Sequence, residues 1–345
     1  MRLPDQYSTF TSNFEMIVVG MELKRFFWSI IGGSFVAIAL TSCSGDMLSK
    51  AAGVVSKATN PTSTEVDTTG IMNQVADGEL TKLWKEPIVF PLDTLNPVRE
   101  DSIAKYIKKE KRRRRDSLRV AFDMRPKHIY FTFDDGPLVG SKAIDSIISS
   151  KNIKISAFLV GRHTGMSKNL HRSYERYMAN TLIECYNHSF THAKNKFSVF
   201  YSNPVSAFED FSKNETDLSL THKIVRMPGR NIWMYDDMRR IDLQSGASTA
   251  DLLFSEGYKI YGWDVEWKIH GLTGKPIQSV DEIYNRITNY MNNKTSMEPN
   301  NVVLLMHDDM FQAKNGQRLL SSLIDTLKQN TDYSFEFMSS YPFRY

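Results

Sequence analysis

Five polar clusters in this 345-residue sequence carry side chains from which a reaction centre can be built, and each follows an apolar run. Asp134, Asp135 and Gly136 follow Ile129–Phe133. His188 and His192 follow Leu182–Asn187. Arg226-Met227-Pro228-Gly229-Arg230 follow Lys223–Val225. Asp264-Val265-Glu266-Trp267 follow Tyr261–Trp263, and His307-Asp308-Asp309 follow Val303–Met306. His188 and His192 are spaced i, i+4, so a helical turn would bring both imidazoles to one side, where they can hold one ion. A carboxylate from elsewhere completes two histidines and one acid, with positions left for water and substrate. Two adjacent aspartates can divide the remaining work, one ligating the metal and the other taking the proton of the water. The metal lowers the water pKa and polarises a scissile carbonyl. His307 suits the acid that protonates the leaving amine or alcohol. Arg226 suits a cation that keeps the base aspartate ionised and aimed.

Each cluster alone has an ordinary structural reading. Asp-Asp-Gly is a turn signature. Paired histidines occur on solvated helix faces, His307 can be a core histidine, Arg226-Met227-Pro228-Gly229 can be a plain loop, and Trp263 and Trp267 can be packing. Their joint occurrence after successive strands is what argues for a catalytic site.

The elements that must position these residues alternate. Apolar, β-branched or aromatic runs predict strands at His128–Phe133, Ile153–Val160, Thr181–Tyr186, Lys223–Val225, Tyr258–Trp263, Val302–Met306 and Tyr333–Met338. Helical stretches lie between several of them, at Ser141–Ser150, Lys168–Met178, Pro204–Leu218, Ala247–Glu256, Val280–Met291 and Gly316–Gln329. Such alternation predicts an α/β fold with a parallel sheet, open or closed into a barrel. Seven strands suit a barrel slightly smaller than the usual eight-stranded one. In parallel α/β folds the site forms at the C-terminal strand ends, where all five clusters fall.

Hydrophobic content of 41% and charged content of 24% predict a globular body. The net charge of +4 does not call for a nucleic-acid partner. Two cysteines, Cys43 and Cys185, make neither a disulfide scaffold nor a cysteine zinc site. Lys24 and Arg25, the apolar stretch Phe26–Leu40 and the end Leu40-Thr41-Ser42-Cys43 read as an export signal. That tetrapeptide resembles a bacterial lipobox, which makes Cys43 the lipidated residue and implies a membrane anchor. The expected organisation is a non-native extension over 1–20 before a start at Met21, a lipoprotein signal over 21–43, and a flexible tether with an unassigned segment over 44–99. A basic helix over 100–120 and a catalytic domain over 121–345 follow. The run Lys108-Lys109-Glu110-Lys111-Arg112-Arg113-Arg114-Arg115 has two readings, a solvated helix face or a contact with phosphate-bearing glycans or lipid headgroups.

At the strand-end motifs the chain resembles the polysaccharide deacetylase family, the NodB-homology carbohydrate esterases, over roughly Lys127 to the C-terminus. Thr132-Phe133-Asp134-Asp135-Gly136 looks like the first family motif, which implies Asp134 as general base and Asp135 as metal ligand. Asn187-His188-Ser189-Phe190-Thr191-His192 looks like the second, with both histidines as ligands. Leu305-Met306-His307 looks like the last, with His307 as general acid. The resemblance also implies a distorted, incomplete (β/α) barrel and one divalent ion, zinc foremost, with cobalt or another ion as alternatives. Two motifs depart. After Pro228 the family usually has tyrosine, whose backbone N–H serves the oxyanion. Gly229 and Arg230 stand there, so the N–H is kept and the aromatic wall is lost. In Trp263-Asp264-Val265-Glu266-Trp267, Glu266 by distance or Asp264 by residue type matches the acid that tunes the catalytic histidine, and Trp267 falls in the sugar pocket.

The expected activity is removal of acetyl groups, N-acetyl on amino sugars foremost, from an extracytoplasmic polysaccharide by a monomer. An O-acetyl esterase uses the same site. An inactive carbohydrate-binding lipoprotein would lose its acid or base, whereas Asp134 and His307 are both kept. A non-haem iron oxygenase also uses two histidines and a carboxylate, but on all-β folds with a His-x-Asp pair, which this chain lacks.

Overall fold

The computed structural model describes residues 77–88 and 100–343. The expected extension, signal, lipidation site at Cys43 and most of the tether lie outside the described residues. Two helices come first, α1 (Asp77–Lys85) and α2 (Glu100–Asp123). Strands β1 (Lys127–Gly136), β2 (Ile155–Leu159), β3 (Ile183–Asn187), β4 (Ile224–Val225), β7 (Lys259–Ile260), β9 (Asn301–His307) and β10 (Tyr333–Phe335) match the seven expected runs. Helices α3 (Ser141–Lys151), α4 (Lys168–Ala179), α5 (Pro204–Asp217), α6 (Ala247–Ser255), α7 (Val280–Asn293) and α8 (Lys314–Lys328) match the six expected stretches. The hairpin β5 (Trp233–Tyr235) and β6 (Met238–Arg240), and the two-residue β8 (Val265–Glu266), are additional. Strands of two or three residues are too short to show a period of two.

The sheet order is β6-β5-β7-β4-β3-β2-β1-β9-β8, with β10 also on β1. From β7 to β8 every neighbouring pair is parallel, whereas β5 runs antiparallel to β6 and β7. Chain connectivity forces this sheet to curl. Laid flat, the six intervals from β7 to β8 would separate them by about 29 Å. Only residues 261–264 join the two strands, and so short a chain reaches about 18 Å at most. Among the described residues β7 and β8 do not pair, so the curl stops short of closure. The result is an incomplete barrel of parallel strands, as expected.

Alternation along each strand separates two cores. Ile129, Phe131 and Phe133 of β1 and Val302, Leu304 and Met306 of β9 face the helices. Tyr130 and Val303 face the barrel interior, which Tyr186, Trp233, Tyr235, Tyr261 and Tyr341 fill. Thr132, Asp134 and His307 share the interior parity and stand above that aromatic plug.

Part of the stretch expected to be unassigned is ordered against the body. Leu80 and Trp84 of α1 pack with Leu118, Ala121 and Phe122 of α2. Lys85 Nζ meets Glu298 at 2.5 Å, Lys294 Nζ meets Asp123 at 2.7 Å, and Asn300 Nδ2 donates to Phe122 O at 2.6 Å. The described residues accordingly fall in one compact unit.

Candidate active site

Strand register brings the motifs together. Asp134 lies opposite His307 across β1 and β9, and Leu159 of β2 opposite Asn187 at the end of β3. The chain then continues the ladder past the strand ends, His188 N–H donating to Leu159 O at 3.0 Å and Arg226 N–H to Asn187 O at 3.0 Å.

Ligand atoms of Asp135, His188 and His192 lie within 4.8 Å of one another. Asp135 Oδ1 is 3.5 Å from His188 Nε2 and 3.1 Å from His192 Nε2. Each imidazole commits its other nitrogen. His188 Nδ1 bonds Arg226 O at 2.8 Å, and His192 Nδ1 bonds Asn195 Oδ1 at 2.8 Å. Both acceptors are oxygens, so Nδ1 carries the hydrogen and Nε2 turns its lone pair toward Asp135. Burial lowers the His188 pKa, against Asp134 and Asp135, which favours the neutral, ligating form. Burial would raise Asp135, but His192, His188, His307 and His163 outweigh it and hold the carboxyl below its usual range. Asp135 Oδ1 is buried and accepts no hydrogen bond. An unsatisfied carboxylate oxygen facing two imidazole lone pairs fits a divalent ion.

The i, i+4 histidines meet through a geometry other than the expected helical turn. Ser189 has φ 63° and the four residues His192–Asn195 have φ between 49° and 56°, a left-handed turn. Such a turn costs roughly 1–2 kcal/mol per non-glycine residue. Helix α5 braces it. Asn187 Oδ1 accepts from Ser189 N–H at 2.9 Å and Asn214 Nδ2 at 2.8 Å, while Asp210 Oδ2 accepts from Thr191 N–H at 3.0 Å.

Asp134 Oδ1 accepts from Arg226 Nη1 at 2.9 Å, and both side chains are buried. Arg226 also donates to Thr132 Oγ1 at 2.7 Å, Gly262 O at 2.8 Å and Tyr261 O at 3.2 Å. Its guanidinium covers the Phe158 ring at 4.3 Å. A fully bonded, stacked guanidinium fixes Asp134 in one orientation. Asp134 Oδ2 stays 3.6 Å from His188 Nε2, at the metal-ligating cluster.

Other sequence expectations meet the structure differently. Trp267 is buried among the helices, its Nε1 donating to Gln278 O at 2.9 Å and its ring on Phe311, so it does not line a sugar pocket. Asp264 spends its oxygens on Met297 N–H at 2.7 Å and Val303 N–H at 2.9 Å, and burial raises it to about 7. It therefore braces the β8–β9 seam and does not tune His307. Val265 faces the outer core, so Glu266 faces inward, beside Leu305 and one row below His307. His307 Nδ1 is buried with no hydrogen-bond partner, so no Glu266 bond reaches it either. Arg230 is buried on Gln244 Oε1 at 2.9 Å, Ser245 Oγ at 2.6 Å and the Tyr201 ring, and pins its loop. Pro228 O accepts from Tyr201 at 2.9 Å. Gly229 has φ 65°, and an added Cβ would lie 3.1 Å from the Phe197 ring, which accounts for glycine there. Its N–H meets no acceptor among the described residues.

Two contributors, His163 and Asn195, fall outside the five clusters, and Asp308 and Asp309 of the last cluster take supporting places. His163 Nδ1 bonds the Asp135 carbonyl at 2.8 Å. Asn195 orients His192. Burial, and after it the field of Asp135, raises Asp309, against His163 and His307. Asp308 is fully buried, accepting from Ser141 Oγ and, at 3.2 Å, from the Tyr177 hydroxyl. It ties the loop after Asp135 to the residue after His307. His163 and Asn195 have no motif. Only proximity in the fold marks them.

A curled parallel sheet of the α/β half-barrel class thus brings an acid and two imidazoles together beside a guanidinium-held aspartate. Residues 122–226, under a third of the chain, match the model of the family described as polysaccharide deacetylase. That match takes in Asp134, Asp135, His188, His192 and Arg226, while β7–β9 and His307 lie beyond it. No curated protein matches the chain. Among solved structures it is similar to a CE4 esterase from Streptococcus mutans, at 18% identity and TM-score 0.47 over 61% of this chain and 86% of that one. It is similar to a family 4 carbohydrate esterase from Streptomyces lividans at 18% identity, TM-score 0.45, over 63% and 96%. A peptidoglycan N-acetylglucosamine deacetylase catalytic domain from Eubacterium rectale gives 20% identity and TM-score 0.44 over 62% and 89%.

Proposed function

We propose that this protein hydrolyses acetyl groups, N-acetyl on amino sugars foremost, from a polysaccharide of the cell envelope or extracellular space. The observation that carries this reading is the meeting of Asp135, His188 and His192 beside the Arg226-held Asp134. Asp135, His188 and His192 would hold one divalent ion, zinc foremost given two imidazoles and a carboxylate. Bound there, the ion supplies Lewis acidity to the acetyl carbonyl and to the attacking water.

The protein's own groups do the rest. Asp134, fixed by Arg226, takes the proton of the attacking water. The free N–H of Gly229 is the donor offered to the developing oxyanion. His307, in register opposite Asp134, delivers a proton to the leaving amine. A site assembled with both a base and an acid favours turnover over mere glycan binding. The sequence Met21–Cys43 supports export and a lipid anchor at Cys43, which would keep the enzyme near an envelope glycan.

The test is acetate release from N-acetylglucosamine oligomers and from acetylated xylan, with zinc, cobalt or chelator. Release from the amino sugar that zinc supports and chelator stops is the expected result. Release from xylan alone would make the enzyme an O-acetyl esterase, and no release from any acetylated glycan with metal supplied would overturn the reading. Asp134→Asn should abolish turnover while elemental analysis still finds the metal.

A further inference from the structure

Helix α2 is more basic than its packing needs. Between Lys105 and Arg115 it carries eight lysines and arginines and one acid. At 100° per residue, Lys105, Lys108, Lys109, Lys111, Arg112, Arg115 and Arg119 fall within an arc of about 160°. All seven are exposed. The opposite face holds the half-buried Ile103, Ile107, Arg114 and Leu118 and the buried Ala121, and it docks on α1. Arg114 alone of the tetra-arginine run reaches another element, meeting Glu86 at 3.1 Å. Arg112 and Arg119 have only loose 3.9 Å contacts to Asp116 and Asp123, one turn on. Lys105, Lys108, Lys109, Lys111 and Arg115 have no ion-pair partner among the described residues. Beside the cationic arc, Tyr106 (38% exposed) and Val120 (52%) stand in solvent, with Met124 (48%) just past the helix end.

We propose that this face of α2 is a docking surface for an anionic lipid bilayer. Seven cations spread along the helix match a plane of phosphate headgroups in sign and extent. Exposed apolar and aromatic groups flanking a cationic arc fit a bilayer, which offers an acyl boundary beside its headgroups, and a soluble polyanion offers them nothing. The face lies on the helix before β1, shares no residue with the candidate active site, and is independent of that chemistry.

The full-length protein is sedimented with neutral phosphatidylcholine vesicles and with vesicles holding about 30% phosphatidylglycerol, at lipid levels that leave part of it free. Taking the ratio of the two partition coefficients cancels any contribution from an anchor. The ratio should be about tenfold or more at 0.1 M salt and approach one at 1 M, where the Debye length falls from about 10 Å to about 3 Å. Changing Lys105, Lys108, Lys109, Lys111 and Arg115 together to Gln should bring the ratio near one, whereas changing the four lysines to Arg should preserve it. Both variants are checked for folding by circular dichroism, and the salt dependence of the unaltered protein needs no variant. A ratio near one for the unaltered protein overturns the proposal, including the case where the protein is instead retained by soluble polyphosphate. Tenfold preference surviving in the Gln variant also overturns it.

Discussion

Replacing Arg226 by methionine should destabilise the fold chiefly through the charge it abandons. The guanidinium is fully buried and donates to Asp134, Thr132, Gly262 and Tyr261. Methionine matches the arginine stem only as far as Nε and has no donors. Asp134, itself buried, would lose its cation, and removing one member of a buried pair costs about 3–5 kcal/mol. For a body of this size that is a fall in Tm on the order of 10 °C. The assay is thermal and urea unfolding in chelator, so that metal binding to the native state does not mask the loss. The decisive comparison is the double variant Arg226→Met with Asp134→Asn. Neutralising the stranded carboxylate should restore about 2 kcal/mol relative to Arg226→Met alone, a coupling expected of contacting charges. If the double variant is instead less stable by the sum of the two single losses, the Arg226–Asp134 ion pair is not what holds this part of the site.

Other perturbations read the site separately. His188→Ala or His192→Ala should eliminate stoichiometric metal by elemental analysis, since each supplies an Nε2 facing Asp135. Asn195→Ala removes the acceptor of His192 Nδ1–H and should weaken metal affinity about 10–100-fold by titration against a chelating dye. Asp308 should impose a pH dependence on stability. Burial raises it from 3.8 to about 7, against its bonds from Ser141 and Tyr177. Below the lower value both folded and unfolded states hold the proton, and between the two only the folded state does, so this contribution falls as pH rises and levels off above about 7. Asp308→Asn should therefore gain on the parent by up to about 4 kcal/mol across that window in urea unfolding, and an unchanged difference between pH 4 and pH 8 would contradict the assignment.

The sequence by itself determined the strand–helix alternation and the placement of Asp134, Asp135, His188, His192, Arg226 and His307 at strand ends. Those are consequences of local pattern, because apolar period, turn residues and motif spacing are written along the chain. It could not show that 261–264 must bridge the two ends of the sheet, since curl follows from strand order and strand order is a tertiary property. It gave no sign that the histidine loop is left-handed, because the φ values there are held by Asn214 and Asp210 of α5, distant in sequence. Only the tertiary structure decided between neighbours of similar type. Glu266 turns inward and Trp267 packs under helices, because one residue of offset on a pleated strand exchanges the two faces, while Asp264, just before β8, is taken up by the Met297 and Val303 amides. The supporting groups His163 and Asn195, and the roles of Asp308 and Asp309, are legible only once the fold brings them beside the motif residues, where distance and burial, not spacing, define what they do.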